Sequence, residues 1–549
     1  MGGMTVAERV ATVLAELGVE RVYGLPGEDH MTLLDAFAGA GIGYRAAYNE
    51  SSAVIMAATD TRLTGRPGVA LLSLAPGVSN GMNGLVHAYL DGLPVLVLSG
   101  QHAAKRLPFV VRQGFDVEQM VRPATKWTTR LPAGVDPAQL LCKAVDLAVT
   151  GPPGPVYVEL PDEVLTLELP DRAGQPALEL LAAELRDGGS GTRGTLVPSA
   201  ETLADLARRL TESRRPALVV GGRHAGVASD TLARFADAVR CPVFVTSAQK
   251  GVLDSQHPYF AGTFLGGNVE ARILGEADLI VTVDLEGYDV YNKPWPYDAP
   301  TVSVTGTPLT EWRIPFALRV TADPETCLRE LTRRVIDPSS QWRPEDVTTY
   351  RDNLRRDLLA PVQGGLSVAA AVDAALGACD EDTVVAADAG FSKPLVALLS
   401  DTARPGHFLS SNGLSTMGFT VPAAIGAAYA TGRRVVGFLG DGSLLMRASE
   451  LAIARDLDVP PVFVALMDRS LSQIEIKQAR RSLTTVGVGL PELSCADLGT
   501  ALGIRGADVD TADAIAPLMR DAWAAGEALL IGVHVDAATS PPTFELLRG

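Results

Sequence analysis

The sequence VVGFLGDGSLLMRASELAIARDLDVPPVFVALMDRSLSQIEIKQ, residues 435–478, decides the fold. A β-branched and aromatic run over residues 435–439 ends in the glycine turn at residues 440–443, and apolar residues then recur at helical spacing. A second apolar run at residues 461–467 predicts another strand. Strand, turn, helix and strand form a βαβ unit, and sheets built from such units bind ligands at the carboxyl ends of their strands.

Each predicted strand delivers an acid to that edge, Asp441 after the first and Asp468 after the second. The turn glycines permit close approach of the backbone, and the N–H groups that open the helix suit a phosphate. Two carboxylates, a carbonyl and phosphate oxygens form the kind of shell that Mg²⁺ prefers. Asp-Gly is also common in ordinary turns, so it is the second acid that favours a metal and phosphate site.

Composition bounds the class of protein. A chain of 549 residues, 47% hydrophobic and 20% charged, predicts a soluble enzyme of two to four domains. The absence of a long apolar run or signal core predicts no membrane partner. Five cysteines, far apart, fit neither a disulfide framework nor a zinc site, which favours a cytoplasmic location. The net charge of −17 argues against nucleic acid as a partner.

Strands alternate with helices along the whole chain, and this rhythm predicts parallel α/β sheets. The expected fold class is α/β, with three doubly wound parallel-sheet domains. The predicted boundaries are a first domain at 1–165, a linker at 166–198, a central domain at 199–336, a linker at 337–364 and a third domain at 365–549. The tail from Pro541 is expected to be a surface segment.

Several motifs in order resemble the acetolactate-synthase-like thiamine-diphosphate enzymes. The first domain contains VYGLPGED, YNESSAVIMAA, SLAPGVSNGMNGLVHAYLDGLPVLVLSGQ and RQGFDVEQMVRPATKW, which resemble the pyrimidine-binding domain of that family. GDGS followed by a second acid resembles its diphosphate motif. The family carries Asn-Asn where this chain has Met467-Asp468, so the aspartate keeps an oxygen ligand but adds a negative charge.

The resemblance implies thiamine diphosphate and Mg²⁺ as cofactors and a pyrimidine-binding, a central and a diphosphate-binding domain. It implies a carboligase or lyase that decarboxylates a 2-oxo acid to an enamine and transfers the acyl unit to a carbonyl acceptor. It also implies a homodimer or homotetramer, because the family's pocket forms between the first domain of one subunit and the third of another.

In the first domain, the resemblance assigns Glu50 to the pyrimidine ring, whose imino form it promotes. From position alone, the commoner role of an acid at Glu50 is that of a helix N-terminal carboxylate, which the helix dipole favours. Gln113 matches the active-site glutamine of the carboligase branch. Arg112, where acetolactate synthases carry phenylalanine, would bind an anionic group of the substrate or lie on the surface. Glu28 is a further catalytic candidate, and the cofactor-binding set also includes Pro26 and Asn80.

In the third domain, the resemblance implies that backbone groups of Ser415 and Met417 bond the pyrimidine, with Met417 supporting the bent cofactor. Packing is the commoner role of a methionine. The metal ligands would be Asp441, Asp468 and Ser470. The cofactor-binding residues of this domain would be Gly390, Phe391, Ser392, Ser415, Met417, Gly440, Asp441, Gly442, Ser443, Asp468 and Ser470.

Three alternatives stay open. The first is that the central domain binds FAD. This is not expected, because Asp284–Tyr288 replaces the arginine-bearing turn of the flavin-binding synthases and the Gly221–Gly222 turn lacks GxGxxG spacing. A simple 2-oxo-acid decarboxylase would carry paired histidines and a glutamate at the position of Ile474, although Glu475 is adjacent. A non-catalytic relative is the third alternative, and the aspartate at 468 keeps it open.

Overall fold

The computed structural model describes residues 3–169, 175–186, 196–222, 226–290, 294–307 and 313–548. The chain divides into two compact units. The first contains residues 1–193 together with 421–432 and 447–457, and the second contains 194–420, 433–446 and 458–549. No helix among the described residues is long and apolar enough to cross a membrane.

The first unit is built on a six-stranded parallel sheet in the order β2-β1-β3-β4-β6-β5. Its strands are β1 (Arg21–Gly24), β2 (Gly43–Ala46), β3 (Gly68–Leu72), β4 (Val95–Gln101), β5 (Trp127–Arg130) and β6 (Val156–Pro161). Its helices in this part of the chain are α1 (Val6–Glu16), α2 (Met31–Gly39), α3 (Glu50–Thr64), α4 (Ala75–Leu90), α5 (Val117–Val121), α6 (Pro137–Val149), α7 (Asp162–Leu165) and α8 (Gln175–Arg186).

Helix α3 is buried on every face from Glu50 to Thr61, because its alanines and serines are small enough for close packing. Glycines of α4 face it: a Cβ on Gly84 would lie 2.6 Å from the carbonyl oxygen of Ser51. Small residues on both helices therefore bring the two backbones together and fix the position of the first residue of α3.

The central sheet belongs to the second unit and has the order β12-β11-β10-β7-β8-β9. Its strands are β7 (Pro216–Val220), β8 (Val243–Thr246), β9 (Phe260–Phe264), β10 (Leu279–Val283), β11 (Thr301–Thr305) and β12 (Phe316–Thr321). The surrounding helices are α9 (Ala200–Glu212), α10 (Ser229–Val239), α11 (Ala271–Leu274), α12 (Pro324–Arg334) and α13 (Pro344–Leu358).

The third sheet also belongs to the second unit and has the order β14-β13-β15-β16-β18-β17. Its strands are β13 (Val384–Ala387), β14 (Phe408–Ser410), β15 (Val435–Gly440), β16 (Val462–Met467), β17 (Arg505–Val509) and β18 (Leu529–His534). The helices of this part of the chain are α14 (Val368–Leu376), α15 (Ser392–Leu399), α16 (Thr420–Thr431), α17 (Asp441–Arg447), α18 (Leu451–Ala454), α19 (Ser472–Arg480), α20 (Cys495–Ala501), α21 (Ile515–Ala525) and α22 (Ser540–Arg548).

All three sheets are parallel with flanking helices, which confirms the predicted fold class. In each sheet the order in which successive strands are added reverses once. In the third sheet this switch point lies between β13 and β15. An open parallel sheet has its ligand crevice at such a point, beyond the carboxyl ends of the strands. The fold therefore directs attention to the residues that follow β13, β15 and β16.

The segments predicted as linkers contain helices. Within 166–198, α8 packs Leu178 and Leu181 into the core of the first unit, while 170–174 and 187–195 lie outside the described residues. Within 337–364, α13 buries Tyr350, whose hydroxyl donates to the carbonyl of Val269 at 3.0 Å. The domain boundaries themselves stay predictions.

The predicted surface tail is a helix with one buried side, while Pro541, Pro542 and Glu545 are exposed. Residues 540–548 form α22, whose Phe544 and Leu547 are buried. The amide of Asn268 in the central domain donates to the carbonyl of Leu547 at 3.4 Å. Two prolines at the start concealed a helix, since proline is tolerated in a first turn.

Candidate active site

The two predicted metal-binding acids lie side by side in the second unit. Asp441 follows β15 and Asp468 follows β16, and these strands pair in parallel with Gly440 opposite Leu466. Both carboxylates line one cavity of about 280 Å³ at the carboxyl edge of the third sheet. The βαβ pattern of the sequence therefore places them at a common edge, as expected from strand polarity.

Asp441 is almost fully buried, with 3% of its surface exposed. Its carboxylate accepts hydrogen bonds from the amides of Gly442 at 2.8 Å and Arg469 at 2.7 Å. Burial, and then the nearby charge of Asp468, raises the pKa of Asp441 to about 6. Two carboxylates held together in a buried cavity repel each other, and a divalent cation between them would remove that cost.

Asp468 is held by its own loop. One carboxylate oxygen accepts from the amide of Ser470 at 3.1 Å, and the other accepts from the hydroxyl of Ser472. Burial, and then the charge of Glu475, raises the pKa of Asp468. The hydroxyl of Ser470 donates to Glu475, so this predicted ligand lies on the cavity wall with its hydroxyl hydrogen-bonded to a neighbouring acid.

Asp388, at the end of β13, is a residue whose role the sequence did not reveal. It is fully buried and accepts hydrogen bonds from the amides of Gly418 at 2.9 Å and Thr420 at 2.8 Å and from the hydroxyl of Ser443 at 2.8 Å. Burial raises its pKa to about 6. Asp388 thus connects three segments of the cavity wall, and the sequence marks it as the acid that begins the loop at residues 388–392, which is placed like the diphosphate-contacting loop of the resembled family.

The other residues predicted in the third domain also line this cavity: Gly390, Phe391, Ser392, Ser415, Met417, Gly440, Gly442, Ser443 and Ser470. A Cβ added to Gly440 would meet no atom within 4 Å, so its open side faces space that a ligand can fill. A Cβ added to Gly442 would lie 2.9 Å from Cδ2 of Leu471 and 3.4 Å from Cε of Met417.

The cavity fits a magnesium-bound diphosphate. Helices α15, α17 and α19 all begin at its wall, at Ser392, Asp441 and Ser472. The first N–H groups of a helix lack partners within the helix and attract anions. No group of three or more His, Cys, Asp or Glu side chains that could hold a metal occurs among the described residues. A cation here would therefore take oxygens from the two acids and from its ligand.

Glu50, Asn80, Pro26 and Glu28 belong to the first unit. Glu50 is the first residue of α3, is 7% exposed and accepts a hydrogen bond from the side-chain amide of Asn80. A Cβ on Gly77 of α4 would lie 3.3 Å from a Glu50 carboxylate oxygen, so the backbone of α4 comes close to this acid. The structure therefore brings together Glu50 and Asn80, which were predicted separately.

Pro26 and Glu28 are exposed, whereas the adjacent Asp29 is held in place. The carboxylate of Asp29 accepts from the hydroxyl of Ser73 at 2.7 Å and from the amide of Leu74 at 2.9 Å. Asp29 therefore connects the ends of β1 and β3, which lie at the switch point of the first sheet. The sequence pattern predicts only its neighbour, Glu28, as a site residue.

Arg112 and Gln113 lie on the connection between β4 and α5, residues 102–116, and both are exposed. Gln113 has a φ of 61°, a left-handed backbone conformation that is uncommon outside glycine. The same connection exposes three large apolar side chains, Phe109 at 84%, Val111 at 92% and Phe115 at 61%.

In the central sheet the switch point lies between β7 and β10. Gly222 has a φ of 82°, and a Cβ there would lie 2.4 Å from the carbonyl oxygen of Asp284. Asp289 accepts from the amides of Gly222 at 3.1 Å and Glu286 at 3.0 Å. Residues 284–289 therefore pack directly against the glycine turn, while Arg223, which follows it, lies outside the described residues.

Three segments of the chain match family descriptions in the order expected from the geometry. Residues 4–120 match the thiamine pyrophosphate enzyme N-terminal TPP binding domain. Residues 203–331 match the central domain of the same family, and residues 388–533 match its C-terminal TPP binding domain. The last match contains the whole acidic edge of the third sheet.

Curated relatives align over most of the chain. A probable acetolactate synthase large subunit from Methanocaldococcus jannaschii is 26% identical over 98% of this chain and 93% of its own length. A probable 2-ketoarginine decarboxylase, AruI, from Pseudomonas aeruginosa is 28% identical over 91% of this chain and 88% of its own. Acetolactate synthase isozyme 1 large subunit from Escherichia coli is 27% identical over 86% and 84%.

Proposed function

The chain belongs to the thiamine pyrophosphate (thiamine diphosphate) enzymes, and on that premise we propose that it is a carboligase that acts on a 2-oxo acid. It would decarboxylate the acid and transfer the remaining acyl unit to the carbonyl group of an acceptor. The observation that carries this proposal is the pair Asp441 and Asp468 on one cavity at the ends of β15 and β16.

In this proposal, Asp441 and Asp468 hold Mg²⁺, and the helix starts around the cavity hold the diphosphate. When bound, thiamine diphosphate supplies the nucleophilic carbon and the electron sink that decarboxylation of a 2-oxo acid requires. Met417 would support the bent cofactor from the cavity wall. Glu50, buried and bonded to Asn80, would hold a hydrogen bond to the pyrimidine ring.

We further propose a homodimer, or a homotetramer built from such dimers, in which a second copy covers the 102–116 connection. The support is the exposure of Phe109, Val111 and Phe115 beside Arg112 and Gln113, because large apolar side chains grouped on a surface commonly mark an interface. Covering this segment would place Arg112 where it could bind an anionic end of the substrate.

No flavin is expected in this enzyme. The support is the packing of residues 284–289 against Gly221 and Gly222, where a Cβ on Gly221 would lie 2.6 Å from a methyl carbon of Leu285. A cytoplasmic location is supported by the five cysteines, all of which are free and four of which are buried.

A simple decarboxylase is the second candidate, because one relative is named a probable 2-ketoarginine decarboxylase. Glu475 would be the acid of such a reaction. Ile474 lines the cavity instead, and Glu475 accepts a hydrogen bond from Ser470. The neutral side chain on the wall favours the carboligase.

Product analysis separates these functions. Purified protein with thiamine diphosphate and Mg²⁺ is incubated with a panel of 2-oxo acids, and CO₂, free aldehyde and coupled hydroxy-ketone products are quantified. A carboligase releases CO₂ with coupled product and little aldehyde. Equal amounts of CO₂ and aldehyde would instead identify a decarboxylase, and cofactor binding without CO₂ from any acid would favour a non-catalytic relative.

A further inference from the structure

A lysine side chain lies near each end of helix α15. At its carboxyl end the side chain of Lys250, from the central domain, is buried and donates to the carbonyls of Ala397 and Ser400, both at 2.8 Å. A cation at this end of a helix is favoured by the helix dipole and by the carbonyls that lack partners there. The position of Lys250 is therefore explained by the stability of α15 itself.

Lys393 presents the opposite case. It is the second residue of α15, at the end where the helix dipole disfavours a positive charge. Its side chain is half-buried, lines the cavity and donates to the carbonyl of Ser411 at 2.6 Å. The dipole of α15 does not favour a cation at this end, whereas an anion bound in the cavity would.

The charges on the cavity wall point the same way. Among its lining residues, all within the described part of the chain, Lys393 is the one basic side chain, while Asp441 and Asp468 are acidic. A diphosphate adds further negative charge, and a single divalent cation leaves an excess of it. The resembled family has a neutral asparagine at this position, so Asp468 makes the excess of negative charge larger.

We propose that Lys393 binds the diphosphate of the cofactor and offsets the negative charge that Asp468 adds to the cavity. The inference rests on the proposed function, since it concerns the same cavity. In this arrangement the acid at 468 on one wall of the cavity is matched by a base on another wall. The loop before Lys393, Gly390 to Ser392, lies on the same cavity.

The test is calorimetric titration with two probes, Mg²⁺ plus inorganic pyrophosphate and Mg²⁺ plus thiamine diphosphate. Lys393→Met should weaken both by about 10-fold or more, because a charged hydrogen bond is lost. Lys393→Arg should stay within about threefold of wild type, since the charge is kept. In the Asp468→Asn background, Lys393→Met should cost clearly less than in wild type, the mark of two coupled residues.

Lys477→Met is the matched control, because Lys477 is exposed on α19 and its replacement removes the same charge from the same domain. Unfolding curves without ligand check that each variant is folded. Pyrophosphate affinity unchanged in Lys393→Met, with an altered KM for the 2-oxo acid, would assign the cation to the substrate and overturn the inference. Equal losses in both backgrounds would overturn the pairing with Asp468. If wild type bound neither probe, the proposed function itself would fail.

Discussion

The cavity of the third sheet and the 102–116 connection of the first unit both carry predicted site residues. Only those of the cavity are buried and hydrogen-bonded within the chain. In the cavity, Asp441 is buried and its carboxylate has defined donors. On the connection, Arg112 and Gln113 are exposed among apolar side chains. If a second copy covers the connection, as proposed, one chain supplies the diphosphate site by itself, whereas substrate recognition depends on both copies.

The largest expected effect comes from the cavity of the third sheet. Asp441→Ala should abolish magnesium-dependent binding of thiamine diphosphate, a loss of more than about 100-fold, because a charged ligand leaves the metal shell. Calorimetric titration with cofactor and Mg²⁺ measures it. Asp456→Ala, at an exposed position, is the control. Wild-type affinity in Asp441→Ala would place the metal elsewhere and remove the basis of the comparison.

Glu50→Gln should separate binding from chemistry. Turnover should fall by about 10²–10⁴-fold, the usual contribution of a residue that manages a proton, while cofactor affinity stays close to wild type. Steady-state rates and titrations on the same preparation test this. The exposed Glu20→Gln should change neither quantity. Near-normal turnover in Glu50→Gln would leave that acid as a helix-start carboxylate only.

Asp388 predicts a pH dependence of stability. Its pKa rises from 3.8 to about 6 on folding because of burial, which corresponds to about 3 kcal/mol at most. A raised folded-state pKa gives stability that is present below pH 4 and lost as pH rises through 6. In denaturant unfolding of the ligand-free protein, the free energy of unfolding of wild type should therefore fall relative to that of Asp388→Asn over this pH range.

Asp380, in the loop before β13, supplies a control of opposite sign. The hydroxyl of Thr383 donates to its carboxylate and lowers its pKa, so the stability that Asp380 contributes should be lost as pH falls. If the difference in free energy of unfolding between wild type and Asp388→Asn is constant with pH, burial does not raise the pKa of Asp388.

The variant Arg112→Leu tests the 102–116 connection. If a second copy covers this segment, the variant should raise KM for an anionic 2-oxo acid by about 10- to 100-fold, the worth of a charged hydrogen bond. Cofactor affinity should not change. Arg106→Leu, on the same connection, is the control, and a panel of charged and neutral acids is the assay. Equal KM values across the panel would leave Arg112 on the surface.

The smallest effect is expected at the glycines of the cavity. Gly440→Ala should lower cofactor affinity by about 10-fold without loss of stability, because its Cβ would enter open space. Gly442→Ala should instead destabilise the protein by about 1–3 kcal/mol, since its Cβ would press on Leu471. Parallel unfolding curves and titrations distinguish the two. The reverse pattern would mean that the ligand occupies a different part of the cavity.

The sequence predicted what depends on local patterns. The alternation of strands and helices predicted the three parallel sheets, and the acids after two successive strands predicted a shared edge for Asp441 and Asp468. Glu50 could be found because its motif resembles a known family. Each of these signals lies within a few tens of residues.

What the sequence did not predict depends on distant contacts. Asp388 gains its role only when the end of β13, the loop at residues 415–420 and α17 meet, and no local pattern marks that meeting. Lys393 could be interpreted only after its helix and cavity were known. Helix α8 was missed because acidic and glycine-rich neighbours conceal its few leucines.

Titration of wild-type protein with thiamine diphosphate, with Mg²⁺ and again after its removal by chelation, tests the central claim most directly. Binding at one site per chain that requires Mg²⁺ is the predicted result, because Asp441 and Asp468 can hold a diphosphate only through a cation. Binding that is indifferent to Mg²⁺, or no binding in either condition, would contradict the assignment of this acidic edge as the cofactor site.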